Sequence, residues 1–368
     1  MKIDKLTLRH LRMTLRSPFE TSFGRSETRD CILIEASTKD FIGYGECVAD
    51  ADPGYSYETV QTAWHILKDF LAPSILNREL EEPGELQKLT NFVRGHPMAK
   101  AGIEMAIWDL LGKERNLSLR ELFGGQSDRV EVGVSVGIQE SPTTLVKTVE
   151  DYIAQGYKRV KIKIKPGRDV SDAQAVRKEF PNLRLQVDAN SAYSLDTFKA
   201  LLPLDTLHLL LIEQPLAEDD LWDHSQLQKE FKTPICLDES IVSARHARQA
   251  LEMKACRVIN IKAGRVGGLS EAITIHDLCW AQKIPVWCGG MLETGVGRAS
   301  NLALASMPGF ALPGDISASD RYYHEDITQE RFVLNSDSTI TVPTGLGLGV
   351  NIDPPALERA TLSKLTIP

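Results

Sequence analysis

The sequence predicts an α/β fold: a (β/α)7β TIM-like barrel with an N-terminal α+β capping domain that the C-terminal tail completes. Two observations support this prediction. Five charged residues lie at successive intervals of 25, 25, 25 and 24 residues, and each ends a short apolar run: Lys163, Asp188, Glu213, Asp238 and Lys262. About 25 residues accommodate one strand, one helix and two loops. Regular alternation of strands and helices starts only near residue 130, so the first part of the chain forms a different unit.

Residues 1–125 are assigned to the capping domain. The apolar segments 31–38 and 41–48 flank Lys39-Asp40 and predict a β-hairpin. Helical patterns follow at 57–71, ending before Pro73, and at 98–115, where apolar residues share one face. Strands followed by helices, without alternation, indicate an α+β unit.

Residues 126–320 are assigned to the barrel. Eight candidate strands follow one another here: 130–137, 158–165, 183–188, 208–213, 235–238, 258–262, 285–289 and 311–315. Helical patterns separate most of them, for example at 142–155, 171–179 and 269–282. The polar stretch 316–330 has no clear helical period, which leaves the presence of a final barrel helix open. The strand ends of such a barrel converge on one mouth, where active sites lie.

The remaining residues, 321–368, are expected to leave the barrel and return to the capping domain. They contain two strand-like runs, RFVLN and TITVP, and a glycine-rich TGLGLGV. The tail is therefore neither a linker nor a low-complexity segment.

Composition excludes several classes of partner. The net charge of -8 argues against a nucleic-acid surface, which would be basic. The six cysteines include no CxxC pair, a pattern typical of buried thiols in a reducing cytosol. The N-terminal sequence has no apolar signal core, and the longest apolar runs are too short to span a bilayer. We expect a cytoplasmic protein without a membrane partner, and symmetric homo-oligomerisation is the default expectation.

Three carboxylates from adjacent strands, Asp188, Glu213 and Asp238, predict a metal site. Mg²⁺ prefers hard oxygen ligands, whereas zinc is less suited because no His or Cys accompanies them. Mn²⁺ or another divalent ion could substitute for Mg²⁺. The alternative is that each acid is an ordinary strand end or helix N-cap. Equal spacing after apolar strands favours the metal site.

Two lysines flank the acids in the sequence. Lys161, Lys163 and Lys165 alternate with isoleucine and so share one face of their strand, while Lys262 ends a strand beyond the acids. If strands follow one another around the barrel, Lys163 and Lys262 face each other across the metal. To act as bases, they need a pKa lowered towards neutrality, with Lys161 and Arg265 as the neighbouring cations. The alternative is an outward, solvated lysine face with isoleucine inward.

The constellation predicts removal of a proton next to a carboxylate. A metal that binds a substrate carboxylate acidifies the α-hydrogen and holds the resulting enediolate. Two opposed lysines allow racemisation, and they equally allow syn elimination of a β-hydroxyl group. The residues alone do not choose between these reactions.

Several motifs carry a resemblance to a known family: KIK at 161–163, DANSAY at 188–193, IEQPL at 212–216, LDES at 237–240, NIKAGRVGG at 260–268, PVWCGGMLETGVGR at 285–298 and LPGDISAS at 312–319. In the first domain, PFETSFG at 18–24 and GHPMAKAGIEMAIWD at 95–109 match as well. The chain resembles the enolase superfamily, in its muconate lactonising enzyme subgroup. Within it, the chain is most similar to the o-succinylbenzoate synthases that also racemise N-succinylamino acids.

The resemblance implies roles for individual residues. It makes the three acids metal ligands and Lys163 and Lys262 the acid/base pair, and it places Asn190 beside the metal and the substrate carboxylate. It implies a substrate pocket lined by Lys161, Ser135, Gly290, Met291 and Leu292, under loops that contain Phe19, Phe23 and Met98. Glu239 and Arg265 would support the metal ligands from behind. Our hypothesis is that Arg265 helps Lys262 exchange protons; the alternative is a surface ion pair.

The resemblance also implies the substrates: dehydration to o-succinylbenzoate, a menaquinone precursor, and racemisation of N-succinyl or other N-acyl amino acids. Strand seven, VWCGG, lacks the histidine base of mandelate-racemase-like members. Asp315-Ile316-Ser317 lacks the second acid with which dipeptide epimerases hold an ammonium group, which favours an acylated substrate. The rival interpretations are dipeptide epimerisation, muconate-type cycloisomerisation, and a barrel that binds a metal or carboxylate without turnover.

Overall fold

A four-stranded antiparallel sheet forms the base of the capping domain in this computed structural model, which describes residues 1–368. Its strands are β1 (Lys5–Glu20), β2 (Arg25–Ser37), β3 (Ile42–Cys47) and β13 (Thr361–Ile367), in the order β13-β1-β2-β3. The predicted hairpin is β2–β3, in which Ile32 pairs with Cys47. The long strand β1 is an addition to the predicted elements. Since β13 pairs with β1, the tail returns to the capping domain as expected.

Five helices of the capping domain pack on or beside this sheet: α1 (Val60–Ile66), α2 (Ala72–Ile75), α3 (Glu85–Thr90), α4 (Pro97–Arg115) and α5 (Leu119–Leu122). Helix α4 matches the predicted helix and approaches β3 closely. A Cβ atom on Gly45 would lie 2.1 Å from the carbonyl oxygen of Gly102, so the contact requires glycine.

The prediction that the helix at 57–71 ends before Pro73 is wrong. Helix α1 continues through a π-helical turn, Leu67–Leu71, directly into α2. In that turn the N–H of Ala72 donates to the carbonyl of Leu67, and Pro73 lies in the first turn of α2. A proline inside a continuous helix has no N–H to donate, and its ring crowds the carbonyl of the preceding turn. The π-helical turn, with its longer hydrogen bond from Ala72 to Leu67, widens the helix directly before Pro73.

Seven parallel strands form the barrel sheet in chain order: β5 (Val134–Val136), β6 (Arg159–Lys163), β7 (Arg184–Asp188), β8 (Ile212–Glu213), β9 (Ile235–Leu237), β10 (Val258–Ile261) and β11 (Val286–Cys288). The eighth predicted strand, 311–315, closes the ring together with Phe310 just before it, through bridges of Val286 with Phe310 and of Val132 with Gly314. The N–H of Asp315 donates to the carbonyl of Cys288 over 2.9 Å. The barrel prediction is confirmed.

The first predicted barrel strand, 130–137, is divided in the structure. Its first part is β4 (Arg129–Glu131), which pairs with β12 (Thr339–Thr341), and its second part is β5. Gly133 lies at the division, where a Cβ atom would come within 2.3 Å of the buried Arg159 side chain. The arginine therefore occupies space that a regular strand residue would need.

Helices surround the barrel: α6 (Pro142–Ala154), α7 (Val170–Glu179), α8 (Leu221–Glu230), α9 (Ala244–Glu252), α10 (Ala263–Val266), α11 (Leu269–Ala281) and α12 (Gly295–Ala305). In the tail, α13 (Pro354–Ala360) contacts β1 of the capping domain. A 3₁₀ segment, Phe198–Thr206, replaces one helix. The stretch 316–330 contains only a 3₁₀ turn, Ser319–Arg321, so the final barrel helix is absent. The prediction of a strand at 331–335 is wrong. The N–H of Phe332 donates to the side chain of Ser319 and not to the backbone of a neighbouring strand.

Two buried glutamates of the capping domain join it to barrel helices. Glu46 of β3 accepts the Thr294 hydroxyl over 2.6 Å and the N–H of Gly297 over 3.0 Å, at the beginning of α12. Glu104 of α4 accepts the N–H of Ser270 over 3.3 Å, at the beginning of α11. The positive end of each barrel helix thus faces a carboxylate from the other domain.

The six cysteines are all free and buried, as expected. None of the helices combines the length and the apolar character needed to cross a membrane.

Candidate active site

Strand register brings the charged residues to one level of the barrel. Lys163 pairs with Asp188 between β6 and β7, and Asp188 pairs with Glu213 between β7 and β8. Asp238 and Lys262 directly follow β9 and β10. Because neighbouring parallel strands end together, a repeat along the chain becomes a ring of side chains at the carboxyl end of the barrel.

The three acids form one compact group. Ligand oxygen atoms of Asp188, Glu213 and Asp238 lie within 4.8 Å of one another, and all three residues are fully buried. Beside them, Oε2 of Glu239 is buried without a hydrogen-bond partner. Burying carboxylates is costly unless cations neutralise them. The donor set contains oxygen only, which fits a hard divalent cation.

Two lysines reach this group from opposite sides. Strands β6 and β10, which place Lys163 and Lys262, flank β7, β8 and β9, which place the acids. Lys163 Nζ lies 2.7 Å from Asp188 Oδ2 and 2.8 Å from Asn190 Oδ1. Lys262 Nζ lies 2.7 Å from Asp238 Oδ2. The residues are 9% and 6% exposed, so an outward, solvated lysine face is excluded.

The other two lysines of the KIKIK run diverge. Lys161 points inward, where its ammonium lies 2.8 Å from Glu213 Oε2 and 3.1 Å from Asp188 Oδ2. Lys165 lies beyond the end of β6, is partly exposed and pairs with Glu20 at 3.0 Å. Alternation therefore predicts the inward face only as far as the strand extends.

Opposite charges dominate the electrostatics of the site. Burial raises the pKa of Asp188, but Lys163 and Lys161 more than offset this and hold it at about 2. Burial is the largest influence on the pKa of Lys262 and lowers it, but Asp238 and Tyr55 together more than offset burial and bring the pKa above its usual value. The expected lowering of the Lys262 pKa is therefore not found in this structure, where the Asp238 carboxylate lies 2.7 Å from the ammonium. Arg265 contributes in the expected, lowering direction but less strongly.

Arg265 and Glu239 lie behind the ring of charges. The buried Arg265 guanidinium donates to Asp238 Oδ1, and over 2.7 Å each to the carbonyls of Ile241 and Asn260. This excludes the surface ion pair that the sequence left open. Glu239 Oε1 accepts a 2.8 Å hydrogen bond from the Asn190 side chain, whose oxygen in turn faces Lys163.

A cavity of about 340 Å³ lies above these groups, between the barrel mouth and the capping domain. Phe23 lies in a loop at its rim with 48% exposure, as expected. Phe19 lies in β1 and Met98 is buried in α4, so the expectation that loops carry these two residues is wrong. All the predicted pocket residues line it, together with both catalytic candidates: Phe19, Phe23, Met98, Ser135, Lys161, Lys163, Asn190, Lys262, Gly290, Met291 and Leu292.

The wall formed by residues 290–292 is tightly constrained. A Cβ atom on Gly290 would lie 2.5 Å from the Asp315 carbonyl oxygen. Leu292 has a φ of 58°, an unfavourable conformation for this residue type. The carbonyl of Met291 accepts a 3.0 Å hydrogen bond from Arg29 of the capping domain. A strained backbone held by both domains gives this wall a fixed shape.

Two residues at the site, Tyr55 and Arg29, escaped the sequence analysis, and a third, Asp315, entered it only as the first residue of the Asp315-Ile316-Ser317 motif. Tyr55, from the capping domain, donates to Asp238 Oδ1 over 2.9 Å and accepts from Lys262 Nζ over 3.1 Å. Asp315 lies 2.7 Å from Lys161. It ends the eighth strand, so the strand-end rule could have found it. Nothing in the local sequence marks Tyr55 or Arg29, because a loop and a strand of another domain carry them.

Comparison with known proteins places this geometry in a family. Residues 144–356 match the model described as enolase C-terminal domain-like. Residues 3–124 match the mandelate racemase / muconate lactonizing enzyme N-terminal domain. An enolase-superfamily member from Listeria innocua, solved by crystallography, has a TM-score of 0.95 at 44% identity, covering 100% of this chain and 99% of that one.

Two curated relatives are similar over almost their entire length. The chain is 50% identical over 363 residues to an o-succinylbenzoate synthase from Geobacillus kaustophilus, covering 98% of this chain and 96% of the relative. It is 48% identical over 368 residues to an N-succinylamino acid racemase from Amycolatopsis sp, covering 100% of both. The chain therefore belongs to the mandelate racemase / muconate lactonizing enzyme family of the enolase superfamily.

Proposed function

We propose that this protein is an enzyme that removes the α-proton of carboxylate substrates, acting as an o-succinylbenzoate synthase, an N-succinylamino acid racemase, or both. The observation that carries the proposal is the placement of Lys163 and Lys262 on opposite sides of three buried carboxylates. A barrel that only binds ligands has no need for two amines in such positions. The relatives named above carry one or the other activity in their names.

We assign the metal site to Asp188, Glu213 and Asp238, with Mg²⁺ as the expected ion and Mn²⁺ or another divalent ion as a substitute. When bound, such an ion would supply positive charge that acidifies the α-hydrogen of a bound carboxylate. The protein contributes a buried setting in which charges interact more strongly than in water.

The lysines account for both reactions. In racemisation, one lysine removes the α-proton from its face of the substrate, and the other delivers a proton to the opposite face. In dehydration, one lysine removes the α-proton and returns it to the β-hydroxyl group, which leaves as water from the same face, while the other lysine stays protonated and stabilises the negative charge. Asn190 orients Lys163 through their 2.8 Å contact.

The cavity supports an acylated substrate. The side chains of Phe19, Phe23 and Met98 supply an apolar surface for an acyl or aromatic group. Ser317 occupies the position at which dipeptide epimerases are expected to carry a second acid, and its hydroxyl donates to the carbonyl of Gly133 over 3.1 Å. No carboxylate is thus available there for a free α-amine.

The test is to assay the purified protein with both substrate types, and to follow deuterium incorporation at the α-carbon with and without Mg²⁺. Exchange that requires Mg²⁺ is the expected result. Formation of o-succinylbenzoate would connect the protein to menaquinone synthesis. Turnover of dipeptides or muconate alone would transfer the assignment to another activity of the subgroup, and absence of exchange on every N-acylamino acid and on the succinylbenzoate precursor would indicate a binding protein.

A further inference from the structure

Tyr55 is a capping-domain side chain that reaches the charged centre of the barrel. Its hydroxyl donates to Asp238 Oδ1 over 2.9 Å and lies 3.1 Å from Lys262 Nζ. The same ammonium lies 4.6 Å from the centroid of the Tyr55 ring. A phenol has one proton to donate. Because the Tyr55 hydroxyl donates it in the hydrogen bond to Asp238, its oxygen is an acceptor for the Lys262 ammonium.

The capping domain itself sets the position of Tyr55. The segment that contains it leaves β3 and enters α1, and both of its ends are fixed. At one end, Arg29 pairs with Asp50 at 2.7 Å, and the N–H of Val60 donates to the Asp50 carbonyl over 2.7 Å. At the other end, buried Glu58 accepts the N–H of Met98 over 2.7 Å. The hydroxyl therefore meets Lys262 as a preset contact from outside the barrel.

The two lysines differ in this respect. The hydrogen-bond partners of Lys163 are Asp188 and Asn190, both from the barrel strand and turn next to it. Lys262 bonds to Asp238 of the barrel and to Tyr55 of the capping domain. Only one of the two opposed amines is thus oriented from both domains.

We propose that Tyr55 is a positioning residue for Lys262 and not for Lys163, so that the capping domain orients the base on one face of the substrate. This inference rests on the proposed function. It predicts that loss of the hydroxyl impairs proton transfer on one face selectively. A general loss of structure or of metal binding would slow proton transfer on both faces of the substrate equally, because proton transfer on either face uses the same three carboxylates.

The test compares Tyr55→Phe with Tyr57→Phe, a control from the same segment whose ring is 62% exposed and lies outside the cavity lining. The readout is α-deuterium incorporation, in D₂O with Mg²⁺, into each enantiomer of an N-succinylamino acid. Lys163→Ala and Lys262→Ala identify the enantiomer that each lysine serves. For Tyr55→Phe, we expect the exchange rate of the enantiomer that Lys262 serves to fall about tenfold or more, because one hydrogen bond to a charged group is lost. The exchange rate of the enantiomer that Lys163 serves should change less than about threefold. Tyr57→Phe should alter neither.

Titration of substrate-free protein with Mg²⁺ provides a second readout. A Tyr55→Phe protein with unchanged Mg²⁺ affinity and one impaired face supports the proposal. Equal slowing of both enantiomers, or weakened Mg²⁺ binding that accounts for the loss, overturns it while leaving the proposed function intact. If the unmodified protein exchanges neither enantiomer, the proposed function fails and the role of Tyr55 fails with it.

Discussion

The barrel mouth and the capping domain contribute to the site in different ways. The barrel supplies the acids and lysines from the ends of regular parallel strands, where register places neighbours such as Asp188 and Glu213 side by side. The capping domain supplies Tyr55 and Arg29 from a loop and an antiparallel strand. The reactive groups thus depend on a repeated element, whereas their orientation and the shape of the pocket depend on contacts between domains.

The largest expected effect comes from the acids of the barrel. Glu213→Gln removes one of the three clustered charges while keeping the size of the side chain, and should lower α-proton exchange by about 10³-fold. It should also weaken Mg²⁺ binding, measured by calorimetry in the absence of substrate. Glu114→Gln, at an exposed position of α4, is the control. A Glu213→Gln protein with normal Mg²⁺ affinity and exchange would show that the acids are not the metal site.

The lysine pair comes next. Lys163→Ala and Lys262→Ala should each abolish racemisation and lower exchange of one enantiomer by about 10² to 10⁴-fold, the usual contribution of a general base. The enantiomer affected should differ between the two variants, because the lysines approach from opposite sides. NMR detection of deuterium incorporation into each enantiomer measures this. If both variants lose the same enantiomer, the lysines do not act on opposite faces.

A variant of Arg265 tests whether a buried residue behind the charged groups of the barrel contributes to proton exchange, in contrast to an arginine at the surface. Arg265→Gln removes one of the two cations that contact Asp238, and should lower exchange on the Lys262 side by about tenfold. Exchange rates and the ratio of racemised to dehydrated product are the measurements. Arg257→Gln is a matched control, because Arg257 is exposed and directly precedes β10. Unchanged rate and product ratio in Arg265→Gln would remove this residue from the mechanism.

The smallest effect on activity is expected at the seam between the two regions. Burial raises the pKa of Glu46 to about 7, although hydrogen bonds from Thr294 oppose this shift. A carboxyl whose folded-state pKa is raised stabilises the fold at pH values below its unfolded pKa, and this contribution is lost as pH rises through the folded pKa. A shift from 4.5 to about 7 corresponds to about 3 kcal/mol between pH 4 and pH 8.

Unfolding by urea at several pH values measures this effect. The free energy of unfolding of Glu46→Gln should rise relative to that of the unmodified protein as pH increases from about 4 to about 8. The exposed Glu114→Gln should show no such trend. A difference that is constant with pH would show that Glu46 titrates normally in the folded protein.

The same contrast explains what the sequence could reveal. Lys163, Asp188, Glu213, Asp238 and Lys262 were predictable because one strand, one helix and their loops take a nearly constant length of chain. Lys165 shows the limit: alternation predicts an inward side chain, but the strand ends at Lys163.

Contacts between distant elements could not be predicted in this way. Tyr55 meets Lys262 across 207 residues of chain, in a loop without periodicity. The division of the first barrel strand at Gly133 also depends on a distant residue, since the side chain of Arg159 occupies the space. Pro73 misled for a related reason, because its usual role as a helix terminator does not hold where a π-helical turn precedes it.

The pairing of β13 with β1 brings the first and the last strand of the fold together, with Leu6 opposite Ile367. During synthesis, one edge of β1 must remain open until β13 leaves the ribosome, and open edges invite pairing with other chains. Deleting the last seven residues should therefore favour aggregation of nascent protein. Conversely, a short linker that joins β13 to β1, with new ends opened in an exposed turn, should yield a functional circular permutant.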